Sequence, residues 1–207
     1  MTKPMTAEKK TARILAAFTI IEGAVVIYAF LGAPAKFMTY IGFAAGHQGT
    51  ALSWLLALLV TVAFVAFSLR LPSVREHLFK PSLLKLLAIP MALFAGILEE
   101  SVFRSTVMNI LQHQGVGLAL QILASGLTFG LAHGVWGLFG KSLRAAIGAT
   151  VVTGSLGILL AVVYVAAGRH LMPCIAAHFI IDALAEPGLV LAVCRGEMAR
   201  RRPALAA

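Results

Sequence analysis

Five runs of about twenty apolar residues, set close together, leave this chain very few folds to choose from. They read as Ala51–Leu69, Leu86–Leu111, Val116–Phe139, Ala145–Ala167 and Leu171–Val193. A helix needs roughly 20 residues to cross the hydrocarbon of a bilayer. Only helices and closed barrels satisfy their own backbone polar groups there. A weaker sixth run, Ile14–Leu31, carries Glu22 near its middle, and Phe37–Ala45 is too short to cross, so it reads as interfacial or re-entrant. The expectation is an all-α polytopic transmembrane helical bundle of about six spans. It would form a single domain over residues 1–207, with its polar chemistry concentrated in about 86–193. The loops are short, and no linker, low-complexity tract or internal repeat stands out.

Charge placement supports this reading. The net charge is +9, yet only 12% of residues are charged, about half the fraction of a soluble domain. With the amino terminus in the cytoplasm, Lys3, Lys9, Lys10, Arg13, Arg70, Arg75, Lys80, Lys85, Lys141, Arg144, Arg195, Arg200, Arg201 and Arg202 fall inside. Outside fall Lys36 and Arg169, and Arg104 lies within a span. That asymmetry is the positive-inside pattern and predicts both termini inside. The basic balance therefore answers to topology and to the lipid bilayer as partner, and a nucleic-acid role is set aside. A cleaved signal peptide is not expected, because the first apolar run is long for one. The short chain and lean loops suggest a bacterial plasma membrane. Cys174 and Cys194 lie roughly 30 Å apart along the last run at 1.5 Å per residue and cannot pair with each other.

Ionisable residues inside apolar runs are expensive, and in membrane proteins they mark function. Glu99, Glu100 and Arg104 fall midway along the second strong run, His133 in the third, and His178, Asp182 and Glu186 in the last. Glu100 and Arg104 are spaced i, i+4 and share a helical face, as do Phe129 and His133, and His178 and Asp182. Glu99 is turned about 100° from Glu100 and need not pair with the arginine. Three helices that each present polar groups satisfy them most simply by converging on one cavity. Gly126, Gly130 and Gly134, at four-residue spacing, form a small-residue face for close helix approach.

Convergence of this kind suggests hydrolytic chemistry. A carboxylate shielded from bulk water serves as a general base. A histidine beside it shares the proton work, and a second histidine oriented by an acid supports a developing oxyanion. A carbonyl compound such as a peptide would be the substrate. Two histidines and one acid could equally hold zinc or another divalent metal with a position open for water, although there is no H-E-x-x-H. A proton relay or transporter is the competing reading, since chains of Glu, His and Asp also carry protons. Glu22 reads as snorkelling or pairing within its span, Glu186 as marking a kink beside Pro187, and His47, His77, His113 and His170 as loop residues without a role.

Three segments resemble motifs of the CPBP family, the CAAX proteases and bacteriocin-processing enzymes. Glu99-Glu100-Ser101-Val102-Phe103-Arg104 resembles its E-E-x-x-x-R motif, Phe129-Gly130-Leu131-Ala132-His133 its F-x-x-x-H motif, and His178-Phe179-Ile180-Ile181-Asp182 its H-x-x-x-N/D motif. The resemblance implies a glutamate-dependent intramembrane endopeptidase with no required cofactor on the preferred reading, metal dependence being open. It also implies that Glu99 activates water with His133, that His178 and Asp182 line the oxyanion site, and that Glu100 and Arg104 hold the motif helix. The expected partner is a peptide or protein with a membrane-associated tail; a silent member would bind a partner without cleaving it. Asp182 stands where the prenyl-protein enzymes carry asparagine, and Ser105 where glycine is common. About six spans, against eight in the eukaryotic enzymes, favour a small secreted peptide or an embedded tail over a prenylated protein.

Counted from the nearest cytoplasmic basic residue at 1.5 Å per residue, His133 lies roughly 12 Å deep, Glu99 roughly 21 Å and His178 roughly 25 Å. Upright parallel rods would not bring the three together. Tilt, Pro90, Pro173 or a re-entrant turn would have to do so.

Overall fold

The computed structural model describes residues 5–199, and its regular elements among them are all helical. Lys3, Arg200, Arg201 and Arg202, which belong to the expected cytoplasmic charge set, lie outside the described residues. The elements are α1 (Ala7–Gly32), α2 (Pro34–Tyr40), α3 (Ala51–Ser68), α4 (Pro72–His77) and α5 (Leu83–Glu100), then a π-helical segment (Ser101–Met108). There follow α6 (Asn109–His113), α7 (Leu118–His133), α8 (Trp136–Gly140), α9 (Leu143–Ala166) and α10 (Met172–Cys194). Six helical stretches are long and apolar enough to cross a membrane, as the sequence predicts.

Hydroxyl side chains start four of these helices. Thr6, Thr50, Ser82 and Ser142 each accept a hydrogen bond from the backbone N–H three residues on. Such caps satisfy donors that have no intrahelical partner. The lateral faces of the bundle are apolar and open: Ile20, Tyr28, Leu59, Leu127 and Leu131 are all at least 56% exposed. In water such a surface would aggregate, whereas lipid covers it without cost.

At the centre stands α10, half of whose spanning window is buried, against 28% for α1, α3 and α7. It packs on α5, α3, α4, α1 and α9. Pro187 interrupts its ladder, removing a donor and freeing the carbonyl four residues earlier. That carbonyl, of Ala183, accepts from Lys85 Nζ at 2.8 Å, and Leu184 O accepts from the same ammonium at 2.8 Å. Lys85 thus reaches into the bundle and is not a marker of the membrane surface. Just beyond α10, Arg195 donates to Glu76 Oε2 at 2.9 Å and to Ser73 Oγ at 3.0 Å, clipping α4 to the helix end. This bond holds the Glu76 carboxyl below its ordinary range.

Glycines set the two crossings that matter. At Gly130 a Cβ would fall 2.8 Å from Gly154 Cα, and at Gly126 it would fall 2.8 Å from Ile158 N, so α7 and α9 touch backbone to backbone. The small-residue face is realised there. At Gly96 a Cβ would meet Ile175 O at 3.3 Å, which brings α5 against α10 one turn before the acidic pair.

Two features depart from the sequence reading. The run Val116–Phe139 is not one helix: α7 ends at His133, Gly134 and Val135 form a turn, and α8 is a separate short helix. Gly134 N bonds Leu131 O at 3.0 Å, tightening the last turn beneath α9. Next, Leu83–His113 runs on as a 31-residue rod, about 46 Å at 1.5 Å per residue, too long to stand upright in about 30 Å of hydrocarbon. Its middle is π-helical, with Thr106 Oγ1 donating to Ser101 O at 3.0 Å and Ser125 Oγ of α7 donating to Phe103 O at 2.9 Å. The segment Phe37–Ala45 is too short to cross, as expected: it contributes the end of α2, followed by a turn at Ile41-Gly42.

Candidate active site

The three motif segments meet. Glu99 Oε2 lies 3.8 Å from His133 Nε2 and 3.8 Å from His178 Nε2, so an acid from α5 faces imidazoles from α7 and α10. The depth mismatch counted from basic residues is therefore overturned. Upright rods with level anchors are not the arrangement: Lys85 is drawn inward to α10, and Gly96 sets where α5 crosses it.

Each ring is held from behind. His133 Nδ1 is 2.8 Å from Phe129 O. A carbonyl only accepts, so Nδ1 carries hydrogen and Nε2 faces Glu99. His178 Nδ1 lies 2.7 Å from Glu100 Oε1, while its Nε2 is 3.3 Å from Asp182 Oδ2. Glu100 thus does more than pair with the arginine, because it also anchors the central histidine.

Behind this face, Glu100 and Arg104 are completely enclosed, with Arg104 Nε 3.1 Å from Glu100 Oε2 but poorly aligned for a hydrogen bond. The guanidinium lies 4.5 Å above the Phe129 ring, and Nη2 donates to Gly157 O at 3.4 Å. A desolvated cation on a ring of this kind is worth about 2 kcal/mol or more. Phe129 also makes edge contacts with Phe103 and His178 and a tilted contact with His133. One aromatic ring therefore spaces the arginine from both imidazoles.

Glu99, His133, His178 and Asp182 open onto a cavity of about 530 Å³ between the helices. Its walls are largely apolar, with Phe18, Phe64, Met91 and Trp136 among them, and Arg70 and Arg144 lie at the end where α3 stops and α9 starts. Glu99 is 23% exposed at its side chain and His178 only 3%. Its Oε2 makes no hydrogen bond within the protein.

Two residues read as incidental in the sequence stand on the same wall. Glu22 does not snorkel outward; it is 7% exposed and lines the cavity from α1. Glu186 also lines it, one helical turn beyond Asp182, rather than merely marking the kink beside Pro187. The signal that finds them is the rule that intramembrane acids face protein interiors; no motif contains them. His77 is not a loop residue but lies buried in α4, with Nδ1 3.1 Å from Ser73 O. Cys174 and Cys194 are free thiols. Among the described residues, no group of three or more His, Cys, Asp or Glu side chains is arranged to hold a metal ion.

No curated protein and no solved structure matches the chain. A family model does: type II CAAX prenyl endopeptidase, Rce1-like, matches residues 81–184. The matched segment contains all three motifs and ends between Asp182 and Glu186, leaving out Glu22. It spans half of the chain, which belongs to the Rce1-like type II CAAX prenyl endopeptidases, a family of membrane-embedded proteases.

Proposed function

We propose that the chain is an intramembrane endopeptidase that hydrolyses a peptide bond in a membrane-associated peptide or protein tail, using water activated by Glu99 and His133. The observation that carries this is the single carboxylate oxygen of Glu99, set 3.8 Å from the Nε2 atoms of two histidines on a mainly apolar cavity. Those gaps are too long for direct hydrogen bonds. On this reading the attacking water, with the substrate carbonyl beside it, takes up the edge they share once substrate opens it.

In the reaction, Glu99 takes a proton from that water as its oxygen bonds to the carbonyl carbon. His133, its Nδ1–H fixed on Phe129 O, orients the water through Nε2. His178, anchored through Nδ1 on Glu100, offers Nε2 to the developing oxyanion, its single N–H turning to it from Asp182 Oδ2, 3.3 Å away. The aspartate acts by orienting the ring, which answers its standing in place of an asparagine donor. The C–N bond then breaks, and the proton held by Glu99 passes to the leaving amine. Glu100 and Arg104 hold the motif helix on Phe129. The site would lie in the plasma membrane of a bacterium with both termini cytoplasmic, and would take an unprenylated tail or small peptide.

The proposed reaction routes no step through a metal. Activity should therefore survive removal of divalent ions by a chelator; loss with chelator and recovery with zinc would overturn that part. For the main claim, purified protein in proteoliposomes is given a peptide library with apolar carboxy-terminal segments, and products are read by mass spectrometry. Glu99→Ala, His133→Ala and His178→Ala should each lower cleavage by about 10²-fold or more while the helical signal and melting are kept. If all three variants cut normally, the mechanism is wrong. Proton-gradient-driven flux without cleavage would favour a transporter.

A further inference from the structure

At the end of the bundle opposite Arg70 and Arg144 lies a second concavity, of about 600 Å³, formed between α2, α6 and the α9–α10 turn. On the topology proposed from charge placement, this end carries only two Lys or Arg residues, Lys36 and Arg169. Both line this one pocket, together with His47 and His170. No Asp or Glu does, among the described residues. The bias that keeps cations off this side of a membrane works against such residues, so two of them converging on a single hollow calls for a ligand of opposite charge.

Arg169 is prepared for one. Its backbone takes φ +66, in the left-handed region that side-chain-bearing residues seldom occupy. Such conformations persist where surrounding structure enforces them and cluster at binding sites. The guanidinium is held open by neutral acceptors: Nη1 donates to Asn109 Oδ1 at 2.9 Å and Nη2 to Gln121 Oε1 at 2.6 Å. Two of its five N–H groups are used in this way and three remain. The charge itself is unmatched, since no carboxylate lies within ion-pair distance among the described residues. Lys36 is exposed and makes no hydrogen bond or ion pair among them. The Tyr40 hydroxyl adds a donor to the same wall, while Thr39 Oγ1 donates to Ala35 O and Tyr164 Oη to Asn109 Oδ1. Within a few residues of Ala35 and Tyr40 along the chain, Leu31 is 69% exposed and Phe43 60%, which suits the boundary between headgroups and acyl chains.

We propose that this pocket binds a phosphate group, seated between Arg169 and Lys36, with an anionic phospholipid headgroup and free phosphate as its two possible sources. A planar guanidinium and an ammonium are the usual partners of phosphate oxygens. The site is separate from the cavity of Glu99 and does not depend on proteolysis. It does touch Ser105 and Asn109, which belong to or directly follow the π-helical segment carrying Arg104.

The test uses the full chain in lipid nanodiscs and reads retained lipid by native mass spectrometry. Wild type should retain phosphatidylglycerol at least tenfold over phosphatidylcholine. Lys36→Gln with Arg169→Gln should erase that preference, and Lys80→Gln, at the other end, should keep it. Lys36→Gln alone, which removes no bond within the fold, should lower the preference several-fold, and this arm stands even if Arg169→Gln fails to fold. Protection of the detergent-solubilised protein by inorganic phosphate alone, lost in the double variant, would name free phosphate as the source. Equal retention of both lipids with no effect of phosphate, or an unchanged preference in the folded double variant, would overturn the proposal.

Discussion

The helix that bears the acidic pair has two sides with opposite character. On one, Glu100 and Arg104 are wholly enclosed against Phe129 and Gly157. On the other, one residue earlier, Glu99 looks into a cavity and makes no hydrogen bond through Oε2. The residue type is the same, and the surroundings assign the work. An enclosed ion pair gains little net stability over apolar packing, yet breaking it strands a charge. A carboxylate on a cavity wall is free to take and give up a proton. His178 joins the two sides, bonded to Glu100 at one nitrogen and facing Glu99 with the other.

Breaking the enclosed side should have the largest effect. Glu100→Leu leaves Arg104 buried without its partner and His178 without its anchor, which should cost about 3–5 kcal/mol in unfolding measurements. Adding Arg104→Met should recover most of that stability without recovering activity, because His178 still lacks its acceptor. Recovery of both would merge the two sides into one structural unit. On the cavity side, His178→Ala should lower kcat by about 10²–10³, the scale of losing one oxyanion donor, with little change in KM.

Away from both sides, Lys85→Met should cost about 1–3 kcal/mol by orphaning the carbonyls of Ala183 and Leu184 beside Pro187. The smallest effect is expected at the surface. Glu76 is held ionised by Arg195, so its contribution is present at neutral pH and lost as pH falls through the carboxylate range. Glu76→Gln should remove only that share of the acid sensitivity, seen by comparing melting at about pH 7 and about pH 4.

Much of this was legible because lipid is a strict solvent. Six long apolar runs have one economical fold, and i, i+4 spacing already paired Glu100 with Arg104 and His178 with Asp182. The site's convergence followed from the cost of leaving those groups apart. What stayed hidden depends on tertiary packing. No local pattern announces the π-helical register after Glu100, since it alters only which carbonyl each N–H reaches. Nothing near Glu22 says that α1 turns it toward Glu99's cavity. The depth count failed because it used Lys85 as a surface anchor, and a lysine stem is long enough to carry its charge inward to a proline-freed carbonyl. The turn after His133 was masked by an unbroken apolar run on both sides of Gly134.

The most direct test compares kcat/KM and melting temperature for wild type and Glu99→Gln on one tailed peptide in proteoliposomes. The account predicts a loss of at least about 10²–10⁴ in kcat/KM, the range for removing a general base, with melting unchanged. A folded Glu99→Gln protein that cleaves at the wild-type rate would contradict it.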